Sequence, residues 1–216
     1  MYDGDKNKSK RNHHPFFKKL LDADVQISKQ LVQILLKFLP FRSLKIHYKL
    51  LEVSCHGILW LGSWLAFTWL ISDSSLYQMQ VNMFIGLLID IVIVALLKAF
   101  TRRRRPNSEH DKLDFGPDKY SFPSGHASRT AFITFFFLNL HPVSMFLWPP
   151  LLAWSTAVCL SRLIMERHHL LDIICGVLLG IVEGLLMALI WCEQETATSL
   201  LSYITDEKVE GGEYHV

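Results

Sequence analysis

The sequence predicts an all-α integral membrane protein, a helical bundle of about five transmembrane helices preceded by an N-terminal interfacial amphipathic helix. Three observations predict it. Half of the 216 residues are hydrophobic, they are gathered into blocks, and the polar clusters fall at the ends of those blocks. The formal net charge of +2 matters less than its distribution. Lys and Arg dominate the first fifty residues and the 98–119 stretch, whereas the chain after Cys192 is acidic. Cys55, Cys159, Cys175 and Cys192 have no CxxC or Cys/His metal spacing and read as reduced thiols.

Residues 1–15 are rich in Lys, Asn and His with almost nothing to bury, and are expected to form a disordered basic tail near anionic headgroups. The 16–49 region is the expected interfacial helix. Val25, Ile27, Leu31, Val32, Ile34, Leu35 and Phe38 make an apolar stripe interrupted by Lys29 and Lys37 and ended by Pro40, too short and too charged to span. A membrane-embedded domain is expected over 50–192. Its spans fall at about 50–71 and 81–100, joined by the short 73–80 loop. Next come an apolar helix from near Ser124 to Leu140, a span from 151 to about 165 behind Pro149-Pro150, and a last span over roughly 170–191. Residues 193–216 are expected to form an acidic C-terminal tail.

Alternating spans put the N-terminus, the 98–126 loop and the 162–172 junction on one side. The positive-inside rule makes that side cytoplasmic, although part of the charge is the candidate site itself.

Three polar clusters share this face. In Ser161-Arg162-Leu163-Ile164-Met165-Glu166-Arg167-His168-His169-Leu170-Leu171-Asp172, a helix that includes His168 puts its imidazole and the Asp172 carboxylate on one face. Asp172 then holds one ring nitrogen and leaves the other as a nucleophile, while Arg162 offers a planar fork to phosphate oxygens. Taken alone, the stretch also fits snorkelling and capping groups. Lys98, Arg102 and Arg105 line one face if the helix continues past Phe100, with Arg103 and Arg104 left to headgroups or solvent. Pro123-Ser124-Gly125-His126 starts a helix, so its free N–H groups and dipole suit an anion. Ser124 caps the helix or donates to phosphate, Gly125 permits close approach, and His126 is placed as a general acid.

Lys-x6-Arg-Pro at 98–106, Pro-Ser-Gly-His at 123–126 and Ser-Arg-x5-His-x3-Asp at 161–172 resemble the three-part signature of the type-2 phosphatidic acid phosphatase and vanadium haloperoxidase superfamily. All three parts occur in order without substitution, and the resemblance covers about residues 50–192. The flanking Arg-Arg-Arg-Arg-Pro and Lys-Tyr-Ser-Phe-Pro-Ser-Gly-His-Ala look closest to its polyisoprenoid diphosphate (presqualene diphosphate) phosphatase branch.

The resemblance implies that His168 forms a phosphohistidine, that Asp172 orients it, and that His126 protonates the leaving oxygen and then activates water. Lys98, Arg105, Ser124, Gly125 and Arg162 are implied to hold the phosphoryl oxygens, with no metal and no cofactor. The implied partners are a lipid phosphate or isoprenoid diphosphate substrate and membrane lipids, not nucleic acid, in the endoplasmic reticulum and nuclear envelope with the site facing the cytoplasm. A phosphatidate or sphingoid-phosphate phosphatase is the alternative enzyme, and a non-catalytic membrane scaffold the alternative outside catalysis. Asp90 and Glu183 lie inside apolar spans, where an ionisable group serves either structural hydrogen bonding or substrate passage. Arg129 is placed to meet phosphate or Glu166.

Overall fold

The structure is a computed structural model that describes residues 15–38, 41–106 and 119–205. Most of the expected 1–15 tail and the last part of the acidic tail lie outside these residues. The described chain is built of α-helices: α1 (Pro15–Phe38), α2 (Phe41–Ser54), α3 (Gly57–Leu70), α4 (Tyr77–Thr101), α5 (Gly125–Phe135, continued by a π-helical turn over Phe136–Leu140), α6 (Trp148–Ile164), α7 (Leu170–Leu189) and α8 (Gln194–Thr205). This is the expected all-α membrane bundle. Among the described residues, three segments are long and apolar enough to cross a membrane: Ser74–Thr101, Met145–Ile164 and Leu170–Leu189. The end of α2 with α3 makes a fourth if that pair, bent by 57°, is one crossing.

The expected continuous span over 50–71 is therefore broken. Only a tight turn joins the halves, through Cys55 N–H to Glu52 O and His56 N–H to Val53 O. Arg129 takes the Cys55 carbonyl through Nη1 at 3.0 Å, which satisfies the backbone group at the bend.

The α5 helix is the axis of the bundle rather than a full-length span. Its eleven α-helical residues and five-residue π turn fall short of the ~20 that a crossing needs. Nearly all of α5 is buried, with α7 as its main neighbour. That approach depends on missing side chains. A Cβ at Gly176 would sit 2.6 Å from Ser124 O, and one at Gly180 would sit 2.1 Å from Ser128 O. Around this pair, Met79, Met83, Leu87, Phe132, Ile133, Phe136 and Met187 form the main core, with Trp60, Trp64, Trp154 and Trp191 packed on it. On the outside, Leu88, Val92, Leu96 and Phe100 of α4 and Leu178, Val182, Leu185 and Leu189 of α7 are exposed, the apolar stripes expected of helices facing lipid.

Two end elements differ from expectation. The start of the expected acidic tail is α8, docked on α4 by buried Ala197 and Leu201, four residues apart on one face, beside Tyr77. Asn82 also trades hydrogen bonds with the Cys192 backbone, at 2.8 Å each way. The α1 helix starts as early as Pro15 and packs on α6 and α7, with Val32 in a second core cluster beside Ala127, Leu163 and Ile173. It is part of the bundle, not only an interfacial strip.

Candidate active site

The site lies where α4 ends and α5 and α7 begin. Phe122-Pro123, a cis peptide, leads into Ser124, which caps α5 by accepting from Ala127 N–H at 3.4 Å. Ser124 N–H donates to Asp172 O at 3.0 Å, so the starts of α5 and α7 are fixed to each other. Gly125 sits against α4, where a Cβ would lie 3.1 Å from Val94 Cγ1.

His168 does not belong to α7. The helix begins at Leu170 behind His169, and Asp172 closes a capping box by accepting from His169 N–H at 2.9 Å. The expected His168–Asp172 pair on one helix face is corrected accordingly: His168 Nδ1 is 2.8 Å from Ser121 O and 3.9 Å from Asp172 Oδ2. A carbonyl oxygen only accepts, so Nδ1 carries the proton and Nε2 keeps the lone pair. The ring is 3% exposed. Burial, with the Lys98, Arg105 and Arg162 charges acting alongside it, outweighs the pull of Asp172 and pushes the imidazole down to about 3. His168 is thus neutral at physiological pH, with Nε2 unprotonated and the charges of Lys98, Arg105 and Arg162 acting on it.

The cations reach this point by different routes. Lys98 is buried in the last turn of α4. The helix ends at Thr101 and Arg102 adopts a left-handed conformation with φ 51°, so the expected single helical face of Lys98, Arg102 and Arg105 does not form. Exposed Arg102 turns back onto Ala99 O, and Arg105 approaches His168 from the extended segment beyond. Arg162, 1% exposed, pairs with Glu52 of α2 at 3.1 Å. The Glu52 carbonyl lies 3.2 Å from His126 Nε2 and accepts its proton. One residue of α2 therefore meets two of the predicted site groups.

Several residues were misread or missed in the sequence. Arg103 is not a solvent or headgroup contact: it bridges Asp172 Oδ1 at 2.6 Å and Asp24 Oδ2 at 2.5 Å. Arg129, left between phosphate and Glu166 by the sequence, pairs with Asp90 at 2.6 Å inside the bundle. Glu183 accepts from Ser128 Oγ at 3.1 Å, which makes it a hydrogen-bonding group between α5 and α7. Asp24 and Ser28, both buried, stand four residues apart on the face that carries Val32. A polar pair on an otherwise apolar stripe was the available signal.

A sequence model described as the PAP2 superfamily matches residues 80–195, more than half of the chain. The chain belongs to the PAP2 superfamily. All eight residues predicted to form its site, from Lys98 to Asp172, fall within the matched segment, whereas Asp24, Ser28 and Glu52 fall outside it. Among its relatives, an Arabidopsis thaliana protein named "Probable lipid phosphate phosphatase beta" is 32% identical over 128 residues, an alignment taking in 47% of this chain and 60% of that protein. No solved structure matches the chain.

Proposed function

We propose that this PAP2 superfamily member is a metal-independent membrane phosphohydrolase acting on polyisoprenoid diphosphates of the presqualene or farnesyl type, or on related lipid phosphates, through a phosphohistidine on His168. The observation that carries this reading is the His168 Nδ1–H bond to Ser121 O, which leaves Nε2 unprotonated on a ring under the charges of Lys98, Arg105 and Arg162. Nε2 attacks the terminal phosphorus, and the bond from that phosphorus to its leaving oxygen breaks, an oxygen bridging to the second phosphorus in a diphosphate and to the lipid in a monophosphate. His126, entering the step as the imidazolium with Nε2–H on the Glu52 carbonyl, gives its Nδ1 proton to that oxygen. The ring becomes cationic as it is phosphorylated, and the Asp172 carboxylate, 3.9 Å from Nδ1, offsets that charge. A water deprotonated by His126 then attacks the phosphohistidine, breaks the N–P bond and releases phosphate. Lys98, Arg105 and Arg162 supply the positive charge that phosphoryl transfer requires, with the Ser124 hydroxyl and the Gly125 amide beside them. Phosphate on Arg162 competes with Glu52 for the same guanidinium.

The name of the Arabidopsis relative supports a lipid phosphate as substrate, and the Arg-Arg-Arg-Arg-Pro run before Ser124 is the sequence support for the diphosphate branch. The positive-inside rule supports a site facing the cytoplasm, and the family branch supports an endoplasmic reticulum and nuclear envelope location. The test is phosphate release by detergent-purified protein from farnesyl diphosphate, presqualene diphosphate and phosphatidate, in chelator, with His168→Ala as control. Release that needs no added metal and vanishes in the variant is expected, with the diphosphates preferred. Release from none of the three lipids above the variant background would refute the enzymatic reading in favour of a scaffold.

A further inference from the structure

We propose that Asp24 of α1 is a positioning residue of the His168 centre, so that a helix outside the superfamily segment completes the site. This rests on the phosphohydrolase reading above. The two partners of His168 Nδ1, Ser121 O and Asp172, are both held by Arg103. Its side chain holds Asp172 at 2.6 Å, and its carbonyl accepts from Ser121 N–H at 2.8 Å and from Ser121 Oγ at 3.3 Å, fixing the residue whose own carbonyl holds His168 Nδ1. Arg103 in turn is anchored by Asp24 at 2.5 Å.

The second Asp24 oxygen accepts from Leu171 N–H at 2.9 Å, and Ser28 Oγ accepts from Leu170 N–H at 2.8 Å. Two amides at the start of α7 are therefore capped by side chains of α1, and a third, that of His169, by Asp172. Asp24 thus fixes the guanidinium from one side and the first turn of α7 from the other. The two anchors converge on Asp172, which is fully buried.

Asp24 reaches the site through Arg103 and the first turn of α7, the supports of His168 and Asp172, so its loss should act on the chemical step and not on binding. In the purified full-length protein, Asp24→Ala should lower kcat by about tenfold to a hundredfold, the effect of displacing a reacting group by an ångström or less, with KM within twofold of wild type. Asp24→Asn keeps an oxygen for Leu171 N–H but not the charge on Arg103, and should fall between Asp24→Ala and wild type. Lys29→Ala, exposed on the same helix, should match wild type. Rates are normalised to the folded fraction by size-exclusion profile and thermal midpoint, so a loss of kcat explained by unfolded protein overturns the proposal. So does an unchanged kcat in Asp24→Ala, or a KM rise that accounts for the whole effect. Inactive wild-type protein would instead overturn the phosphohydrolase reading itself.

Discussion

Glu52 holds an anion site before any phosphate arrives. Its carboxylate lies 3.1 Å from Arg162, a guanidinium almost wholly removed from water, so Glu52 and a bound phosphate compete for one buried cation. Glu52→Gln should therefore have two opposed effects. It should lower the thermal stability of the phosphate-free protein by about 1–3 kcal/mol, because Arg162 loses its counter-charge. It should also tighten inhibition by inorganic phosphate by roughly threefold to tenfold, because the competitor is gone. Weaker phosphate inhibition in this variant would mean that Glu52 helps to bind substrate. His168 makes a separate prediction through pH. Its folded value of about 3 lies below the ordinary 6.5, so between these values the unfolded chain binds more protons. The stability contributed by the neutral ring is full above about pH 6.5 and is lost as pH falls, by at most ~1.4 kcal/mol per pH unit. Wild-type protein should lose more thermal stability between pH 7 and pH 5 than His168→Asn, and equal slopes would contradict the neutral buried ring. The eight predicted site residues were legible because motif spacing is a property of the chain. Glu52 and Asp24 were not, because each meets the site only after α1 and α2 fold back on it.

Helix α5 holds His126 where it can serve the site only because α7 comes close enough to fix its start. At Gly180 an added Cβ would overlap a backbone carbonyl on α5 at 2.1 Å, and no side-chain rotation relieves a clash with backbone. Gly180→Ala should cost about 1–3 kcal/mol of stability or more and take activity with it. Gly62→Ala on α3, where nothing lies within 4 Å, should leave both unchanged or gain slightly from helix propensity. Thermal unfolding in detergent compares the two, and similar midpoints would show that the α5–α7 contact is slack. The last three long helices were legible as apolar blocks bounded by Pro and polar clusters. The break between α2 and α3 was not, because the Cys55 carbonyl is free to leave the helix only where Arg129 waits for it. Nor was α8, since a tail rich in Glu and Thr gives little sign that Ala197 and Leu201 will find Tyr77.

Across the whole molecule, the polar groups form two layers within an apolar bundle. The deeper one, with Asp90 on Arg129 and Ser128 on Glu183, ties α4, α5 and α7 together. The shallower one gathers Lys98, Arg105, His126, Arg162, His168 and Asp172 where α4 ends and α5 and α7 begin. Hydropathy and the three motifs foretold that gathering, because alternating crossings bring the clusters to one side. They did not foretell that α1 would be locked into it by Asp24, Ser28 and Arg103, a contact between parts of the chain 79 residues apart that no local pattern encodes. The central claim is that His168 Nε2 becomes covalently phosphorylated. Its most direct test is to mix the purified protein with farnesyl diphosphate labelled in the terminal phosphate, quench in alkali within the first turnover, and locate the label by mass spectrometry. Label on His168, stable to base, labile to acid and absent from His168→Ala, is the expected result. Turnover that continues with no label on His168 at any quench time would contradict it.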